Sequence, residues 1–142
     1  MRISRQLIDE VVAHARAEAP NECCGMIASR DGEAVAVHRA TNTAASPLRY
    51  IMDGAEQHRI QTSIEDDGLD LGAIYHSHTR SDPVPSQTDV NLARFGDTRL
   101  PAFPGTLYVI VGVKDADTDD VRAWDIDAAT GTYTERPLEI VD

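Results

Sequence analysis

Hydrophobic residues recur at helical spacing in three segments of the chain, which predicts three amphipathic helices. The first runs from Leu7 to Ala15, with Ser4 as a suitable N-cap and Pro20 as a stop. The other two helices are predicted over 54–68 and 86–97. The last of these begins at a serine and ends near a glycine, which are common signals for the two ends of a helix.

Apolar runs bounded by turn residues predict the strands. In residues 23–40 two such runs flank "RDGE", whose Asp-Gly pair is a strong turn signal, so this segment is predicted to form a β-hairpin. The run "LDLGAIYHSH", residues 69–78, is apolar until its polar end, which is typical of a buried strand. Further strands are predicted around Tyr50 and in 106–113, 120–127 and 132–141.

The combination of helices with a hairpin and further strands favours an α+β or mixed-sheet sandwich over a doubly wound parallel fold. The chain has 142 residues, which is close to the commonest size of one folding unit. We therefore expect a single domain that spans residues 1–142.

The chain is strongly acidic, with 24 acidic and 13 basic residues and a formal net charge of -11. Such a charge repels nucleic-acid phosphates and anionic membranes. No segment approaches the roughly 20 consecutive apolar residues of a membrane span, and the N-terminus has no apolar run of signal-peptide length. We expect a cytoplasmic protein that binds neither nucleic acid nor membranes.

The two cysteines, Cys23 and Cys24, are adjacent in a predicted strand. Neighbours in a strand point to opposite faces, so the two thiols are poorly placed to pair with each other. No histidine lies near Cys24 in the sequence, which favours a buried apolar cysteine over a thiol nucleophile.

The candidate chemistry is concentrated in "YHSHTRSDPVPSQTDV", residues 75–90. His76 and His78 lie two apart in a predicted strand, so their side chains share one face and can chelate one ion. A catalytic zinc ion needs a third protein ligand and keeps its fourth position for water. Asp89 is favoured over Asp82, because the first turn of a helix holds a carboxylate more rigidly than a loop does. Taken alone, the H-x-H pair is also compatible with histidines that only form hydrogen bonds.

Two further side chains complete a candidate hydrolase site. Glu22 begins a predicted central strand, where partial burial would raise its pKa and suit it to act as a general acid/base. Ser86 can donate a hydrogen bond to an oxyanion or cap the following helix, and the two roles are compatible. The other histidines are expected to be surface or structural residues: His14, His38 and His58.

The order and spacing of these residues resemble the signature of the JAMM (MPN+) metalloproteases, an upstream Glu followed by H-x-H, seven residues, Ser, two residues and Asp. The resemblance implies one zinc ion per chain, held by His76, His78 and Asp89. It also implies that Glu22 is the general acid/base and that Ser86 supports the tetrahedral intermediate. The implied fold is an α/β/α sandwich similar to the cytidine deaminases, with a mixed, mostly antiparallel curved sheet flanked by helices.

Longer stretches, namely "NECCGMIA", "TNTAASPLRYIMD" and "AIYHSHTRSDPVPSQTDVNLA", resemble small prokaryotic members of this family. These members hydrolyse the amide or isopeptide bond after the C-terminal Gly-Gly of a ubiquitin-like sulfur-carrier protein. The resemblance implies such a carrier as partner and a role in sulfur transfer or cysteine biosynthesis. The oligomeric state, monomer or homodimer, is left open. Thr79 departs from the pattern, since many members have proline there, and this puts the rigidity of the loop in doubt.

Two alternatives accompany this interpretation. A RadC-like peptidase of other amide substrates shares the ligand spacing, but the acidic chain and "TNTAASPLRY" agree better with the carrier hydrolases. A non-catalytic MPN module typically loses ligands, whereas all five site residues are present here. The stretch "TNTAASPLRY" and the loop with Arg80 and Asp82 are expected to border the substrate groove. Arg49 or Arg80 can meet a carboxylate of the leaving cysteine, but an ordinary surface charge is the favoured interpretation of each.

Overall fold

The computed structural model describes residues 1–142 and contains three helices and eight strands. The helices are α1 (Arg5–Glu18), α2 (Gly54–Asp66) and α3 (Gln87–Leu92). The strands are β1 (Arg2–Ser4), β2 (Cys24–Arg30), β3 (Glu33–Ala40), β4 (Asp70–His78), β5 (Leu107–Gly112), β6 (Asp120–Ile126), β7 (Tyr133–Arg136) and β8 (Glu139–Val141). None of the helices has the length and apolarity needed to span a membrane.

All eight strands belong to one sheet, in the order β7-β6-β5-β4-β2-β3-β1-β8. Four neighbouring pairs are antiparallel, namely β2 with β3, β2 with β4, β5 with β6, and β6 with β7. Three pairs are parallel, namely β1 with β3, β1 with β8, and β4 with β5. The predicted α+β fold with a mixed, mostly antiparallel sheet is confirmed.

The sheet is curled so that its two edges meet. Strands β7 and β8 lie at opposite edges, yet only Pro137 and Leu138 separate them along the chain, and two residues reach no further than about 10 Å. The prediction of one strand over 132–141 was wrong. Pro137 has no N–H to donate to a ladder, so the strand ends there. The residues that follow form β8, which pairs with β1 at the opposite edge of the sheet.

Helices cover both faces of the sheet. Helix α1 packs on one face, where its apolar side meets Cys23 and Ile27 in the first core. Helices α2 and α3 pack on the opposite face, in a second core that includes Cys24 and Met26. The alternation of side chains along β2 therefore supplies both cores. The predicted α/β/α layering is confirmed.

Two short extended segments differ from the predictions. Strand β1 was not predicted, because its pairing with β3 and β8 is made by residues distant in sequence. The strand predicted around Tyr50 is absent, and the chain makes only an isolated bridge there, between Asn42 and Met52. This segment is a loop whose backbone is bonded mainly by side chains, a pattern that hydrophobic alternation does not reveal.

Helix α3 ends at Leu92, earlier than the predicted boundary at residue 97. The N–H of Ala102 donates to the carbonyl of Ala93 at 2.9 Å, which occupies the acceptor that another helical turn would use. The N–H of Phe95 likewise donates to the carbonyl of Leu100 at 2.8 Å, so the chain turns back on itself. Contacts with residues further along the chain thus fix this boundary.

Candidate active site

Strand β4 and helix α3 bring three predicted ligands together. Along β4, His76 and His78 follow Ile74 on the face covered by α2 and α3, whereas Tyr75 faces the core under α1. Helix α3 places Asp89 against the two rings. All three side chains are buried, so a charge on any one of them requires a partner.

The reactive atoms of these three residues lie within hydrogen-bonding distance of one another. The Nε2 atoms of His76 and His78 are 3.3 Å apart. Nε2 of His76 is 3.1 Å from Oδ1 of Asp89, and Nε2 of His78 is 3.0 Å from Oδ2. One candidate ligand atom from each residue lies within 4.8 Å of the others, so the group could hold a metal ion.

The protonation of His78 shows that the group fits a metal cation. Nδ1 of His78 lies 2.8 Å from the carbonyl oxygen of Asp82, a contact that requires a proton on Nδ1. In the neutral ring Nε2 then carries a lone pair, and it faces the carboxylate of Asp89. Two acceptors at this distance require a proton or a cation between them. Two imidazole nitrogens and a carboxylate are ligands that suit zinc and related transition metals.

Without a metal, a proton on Nε2 of His78 lies between this nitrogen and the Asp89 carboxylate, and the same contacts set the charges of the group. Burial raises the pKa of Asp89, but the imidazole of His76 and hydrogen bonds from both histidines outweigh it and hold the pKa well below its ordinary value. Burial lowers the pKa of His78, but hydrogen bonds to Asp89 and to the carbonyl of Asp82 outweigh it and raise the pKa. The site therefore keeps an anionic carboxylate beside nitrogen ligands, which favours a cation.

Ser86 fixes the orientation of Asp89. The two residues form a capping box in which Ser86 Oγ accepts a hydrogen bond from the Asp89 N–H at 3.1 Å, and Asp89 Oδ2 accepts one from the Ser86 N–H at 2.9 Å. Because Ser86 Oγ acts as an acceptor here, its hydroxyl hydrogen is free to donate elsewhere. Capping and oxyanion support are thus compatible in this geometry.

The loop between β4 and α3 is anchored by contacts on both sides. Nζ of Lys114 lies 2.7 Å from Oδ1 of Asp82, so this carboxylate points away from the histidines. Nε1 of Trp124 donates to the carbonyl of Pro83 at 2.9 Å. Asp82 therefore contributes to the site through its backbone carbonyl, and Asp89 is the carboxylate that reaches the imidazoles.

Glu22 reaches the site through strand register. The ladder of β2 and β4 ends with Cys24 opposite His76, and the Ser77 N–H continues the pairing by donating to the carbonyl of Cys23 at 3.3 Å. One more residue in this direction brings Glu22 close to His78, whose charge acts on the Glu22 carboxyl. Residues two apart in an extended chain point to the same face, which places Glu22 on the face of both histidines. The pairing of β2 with β4 thus explains why a residue so distant in sequence belongs to the group.

Glu22 is a buried carboxyl group with an unused acceptor. It is 4% exposed, and its Oε1 has no hydrogen-bond partner in the protein. Burial raises its pKa to about 8, while the charge of His78 lowers it and that of Asp89 raises it. Its backbone is held by the carbonyl of Ser46, 2.9 Å from the Glu22 N–H. Thr79, the residue that stands where many family members have proline, donates from its hydroxyl to the carbonyl of Pro20 at 2.9 Å. This hydrogen bond joins the loop after β4 to the segment that contains Glu22.

The remaining histidines and both cysteines lie outside this group. His14 is buried in α1, with Nδ1 2.7 Å from the hydroxyl of Tyr75. Burial raises the pKa of Cys23 to about 11 and that of Cys24 to about 12, so both thiols are protonated near neutral pH. The other two histidines are half-buried on β3 and exposed on α2: His38 and His58.

Two residues beside the group were not singled out from the sequence. The ring of Tyr50 stacks on His76, with centroids 4.6 Å apart and planes at 26°. The side-chain amide of Asn42 donates to the carbonyl of Glu22 at 3.0 Å. Both lie in "TNTAASPLRYIMD", but no spacing rule links a loop residue to a ligand on another strand, so only the tertiary contacts reveal them.

A curled mixed sheet with a buried His-His-Asp group at the end of a central strand defines a metallopeptidase of the JAMM type. The chain belongs to the family described as prokaryotic homologs of the JAB domain, which matches residues 4–127. The predicted family and the predicted class of enzyme are confirmed.

Three similar proteins are named as a peptidase, a desampylase and a protease. The CysO-cysteine peptidase of Mycobacterium tuberculosis is 34% identical over 142 residues, which cover 99% of this chain and 90% of that protein. The desampylase of Haloferax volcanii is 39% identical over 110 residues, 72% of this chain and 73% of that protein. The probable TtuB-protein conjugate cleaving protease of Thermus thermophilus is 37% identical over 123 residues, 86% of this chain and 73% of that protein.

Solved structures share the fold. Protein DSY2949 from Desulfitobacterium hafniense matches with a TM-score of 0.84 and 25% identity, covering 99% of this chain and 92% of that chain. The JAB1/MPN domain protein AF2198 from Archaeoglobus fulgidus matches with a TM-score of 0.60 and 19% identity over 100% of both chains. The predicted JAMM/MPN fold is confirmed.

Proposed function

We propose that this protein is a zinc-dependent hydrolase that cleaves the amide bond after the C-terminal Gly-Gly of a ubiquitin-like sulfur-carrier protein. The observation that carries the proposal is the buried group of His76, His78 and Asp89 with the buried carboxyl of Glu22 near it. Relatives named for cleaving a CysO-cysteine bond or a TtuB-protein conjugate support the choice of substrate.

His76, His78 and Asp89 hold the zinc ion, one per chain. The two Nε2 atoms and the carboxylate already converge, and the hydrogen bond from His78 Nδ1 to the Asp82 carbonyl leaves its Nε2 as the ligating atom. When bound, zinc supplies Lewis acidity that polarises a carbonyl and lowers the pKa of water to near neutrality.

Glu22 moves the proton. Its carboxylate takes a proton from the attacking water, and the resulting acid delivers that proton to the departing amine. Burial holds its pKa at about 8 in the metal-free site, so the group is far closer to working pH than an ordinary glutamate. Ser86 donates its hydroxyl hydrogen to the substrate carbonyl oxygen as negative charge develops there, a role supported by the acceptor use of its Oγ in the helix cap.

The substrate is a tail without side chains that enters between the 41–53 loop and the loop that follows β4. Arg49 and Arg80 are exposed in these two loops and form no ion pair within the protein. Either guanidinium can bind the carboxylate of a leaving cysteine. We further propose that residues 1–142 act as one domain, within the cytoplasm.

The decisive experiment incubates the zinc-loaded protein with a carrier that ends in Gly-Gly-Cys and follows the carrier's mass. We expect loss of the terminal cysteine, and unchanged carrier mass with zinc bound would exclude this substrate. A parallel carrier joined to a lysine side chain tests whether isopeptide bonds are also cleaved. In metal analysis, His76→Ala and His78→Ala should lose zinc, and unchanged stoichiometry would exclude these ligands.

The role of Glu22 is tested by Glu22→Gln, which keeps the shape of the side chain but cannot take up a proton. We expect zinc to remain bound and the hydrolysis rate to fall by about 100-fold to 10,000-fold. The matched control is Glu18→Gln, the same chemical change at an exposed position at the end of α1, which should retain full activity. Full activity in Glu22→Gln would overturn the assignment.

A further inference from the structure

The two histidines of the site are oriented by different contacts. His78 has a hydrogen-bond partner on its second nitrogen, the carbonyl of Asp82 at 2.8 Å. Nδ1 of His76 is buried and has no hydrogen-bond partner in the protein. Metal-binding histidines usually donate from their second nitrogen to a carboxylate, carbonyl or water, which fixes the ring. His76 lacks that restraint, so another contact must set its orientation.

The ring of Tyr50 is in the position to provide that contact. It lies nearly parallel to the His76 imidazole, with centroids 4.6 Å apart and an angle of 26° between the planes. Tyr50 is itself buried, in the same core as Ile74 and Tyr108 on β4 and β5. A flat ring packed against the face of the His76 imidazole hinders rotation of that imidazole about its Cβ–Cγ bond. It leaves Nε2 of His76 free to face Asp89.

Asn42 holds Tyr50 in place. Its Nδ2 donates to the carbonyls of Glu22 and Arg49, both at 3.0 Å. Its Oδ1 accepts from the N–H groups of Ala44 and Ile51, both at 3.0 Å. All four hydrogen-bonding positions of the amide are thus used. Two of these hydrogen bonds are to the backbones of Arg49 and Ile51, the residues on either side of Tyr50, and a third is to the carbonyl of Glu22.

We infer that Tyr50 is a positioning residue for the metal ligand His76, and that Asn42 is the side chain that ties this positioning loop to Glu22. The inference rests on the proposed metal site, because His76 needs a fixed orientation only if Nε2 binds an ion. Tyr50 acts through its stack on His76. The loop 41–53 therefore contributes to the metal affinity of a site whose ligands all lie on other elements.

The test compares the zinc affinity of two Tyr50 variants by competition with a chromophoric chelator. Tyr50→Phe retains the stacked ring and should bind zinc as tightly as the native chain. Tyr50→Leu retains apolar volume without a ring face, and its zinc affinity should fall by about 10-fold to 100-fold, the usual effect of losing a contact that orients a ligand. Equal affinity in Phe and Leu variants would overturn the inference.

A control separates ring stacking from general loss of packing. Tyr108→Leu makes the same chemical change at another buried tyrosine of the same core, which does not stack on a histidine. Its zinc affinity should equal that of the native chain even if its thermal stability falls. A matching loss of affinity in Tyr108→Leu would show a packing effect and overturn the role of Tyr50. If the native chain bound no zinc, the proposed function would fail instead.

The contribution of Asn42 is tested by Asn42→Ala, which removes four hydrogen bonds without adding a charge. Zinc affinity and hydrolysis rate should both fall, since Tyr50 and Glu22 lose the same restraint. Ser46→Ala is the control in the same loop, since it removes only the hydrogen bond from the Leu48 N–H. Native zinc affinity in Asn42→Ala, or an equal loss in Ser46→Ala, would contradict the role of Asn42.

Discussion

At the scale of single residues, hydrogen bonding decides how each buried carboxyl group of the site behaves. Glu22 and Asp89 are both carboxylic acids and are almost equally buried, yet their pKa values move in opposite directions. Asp89 accepts hydrogen bonds from both imidazoles and from the backbone, which stabilise its anion. Glu22 has an unpartnered oxygen, so burial favours its neutral form. One fold thus provides an anionic carboxylate and a protonatable carboxylic acid close together.

The raised pKa of Glu22 makes the metal-free protein less stable as pH rises. Between the ordinary value of 4.5 and about 8, the folded state holds a proton on Glu22 that the unfolded chain has released. The free energy of unfolding therefore falls across that interval, by at most about 1.4 kcal/mol per pH unit. Glu22→Gln should remove this contribution, so its stability relative to the native chain should increase from pH 5 to pH 8.

Denaturant unfolding in the presence of a chelator measures this difference at both pH values. Glu18→Gln is again the control, and its stability relative to the native chain should be the same at both. If the difference in the free energy of unfolding between Glu22→Gln and the native chain were the same at pH 5 and pH 8, the raised pKa of Glu22 would be contradicted.

At the scale of elements, the capped start of α3 determines where Asp89, the third proposed ligand, lies. The helix is short, and its first turn contains both the cap and the ligand. The hydrogen bond between the Ser86 N–H and the Asp89 carboxylate therefore stabilises the helix and orients the proposed metal ligand together. The sequence predicted the cap and the ligand from the same four residues, because both depend on local spacing.

Ser86→Ala should reduce both stability and activity. Loss of an N-cap side chain costs about 1 kcal/mol, and loss of an oxyanion donor lowers a hydrolysis rate by about 100-fold to 1,000-fold. Denaturant unfolding and the carrier cleavage assay measure the two effects separately.

Asp53→Ala is the matched control, since Asp53 caps α2 by accepting a hydrogen bond from the Glu56 N–H at 3.1 Å. It should lose similar stability and keep its activity. If the two variants had equal activity at equal stability, Ser86 would have only its capping role.

At the scale of the whole molecule, closure of the sheet brings the two ends of the chain together. The amine of Met1 donates to the carbonyl of Pro137 at 3.0 Å, and the Glu139 N–H donates to the carbonyl of Met1 at 2.9 Å. Leu138, between the two edge strands, packs against the core under α1. This closure lies apart from the His-His-Asp group, so it should affect stability more than catalysis.

Leu138→Ala should destabilise the protein by about 1–2 kcal/mol, because a half-buried leucine loses most of its apolar contact. Ile140→Ala is the control from the neighbouring strand β8, where the side chain is 37% exposed, and it should cost less. Thermal unfolding measures both. Equal losses in the two variants would show that Leu138 does not contribute more than its neighbour to the closed sheet.

The sequence by itself determined the features that depend on short spacing. It predicted the three helices, the first hairpin and the central strand that carries His76 and His78. Local geometry fixes the relative positions of residues that lie two apart in a strand or three apart across a helix cap, whatever surrounds them. The five proposed site residues were therefore identifiable from pattern and family resemblance.

The tertiary structure decided the features that depend on pairing between distant segments. The pairing of β2 with β4 brings Glu22 close to His78, and curling of the sheet splits the last predicted strand at Pro137. The stack of Tyr50 on His76 likewise joins a loop to a strand with no fixed spacing between them. Such contacts arise from the packing of the whole chain, so the local periodicity of the sequence cannot predict them.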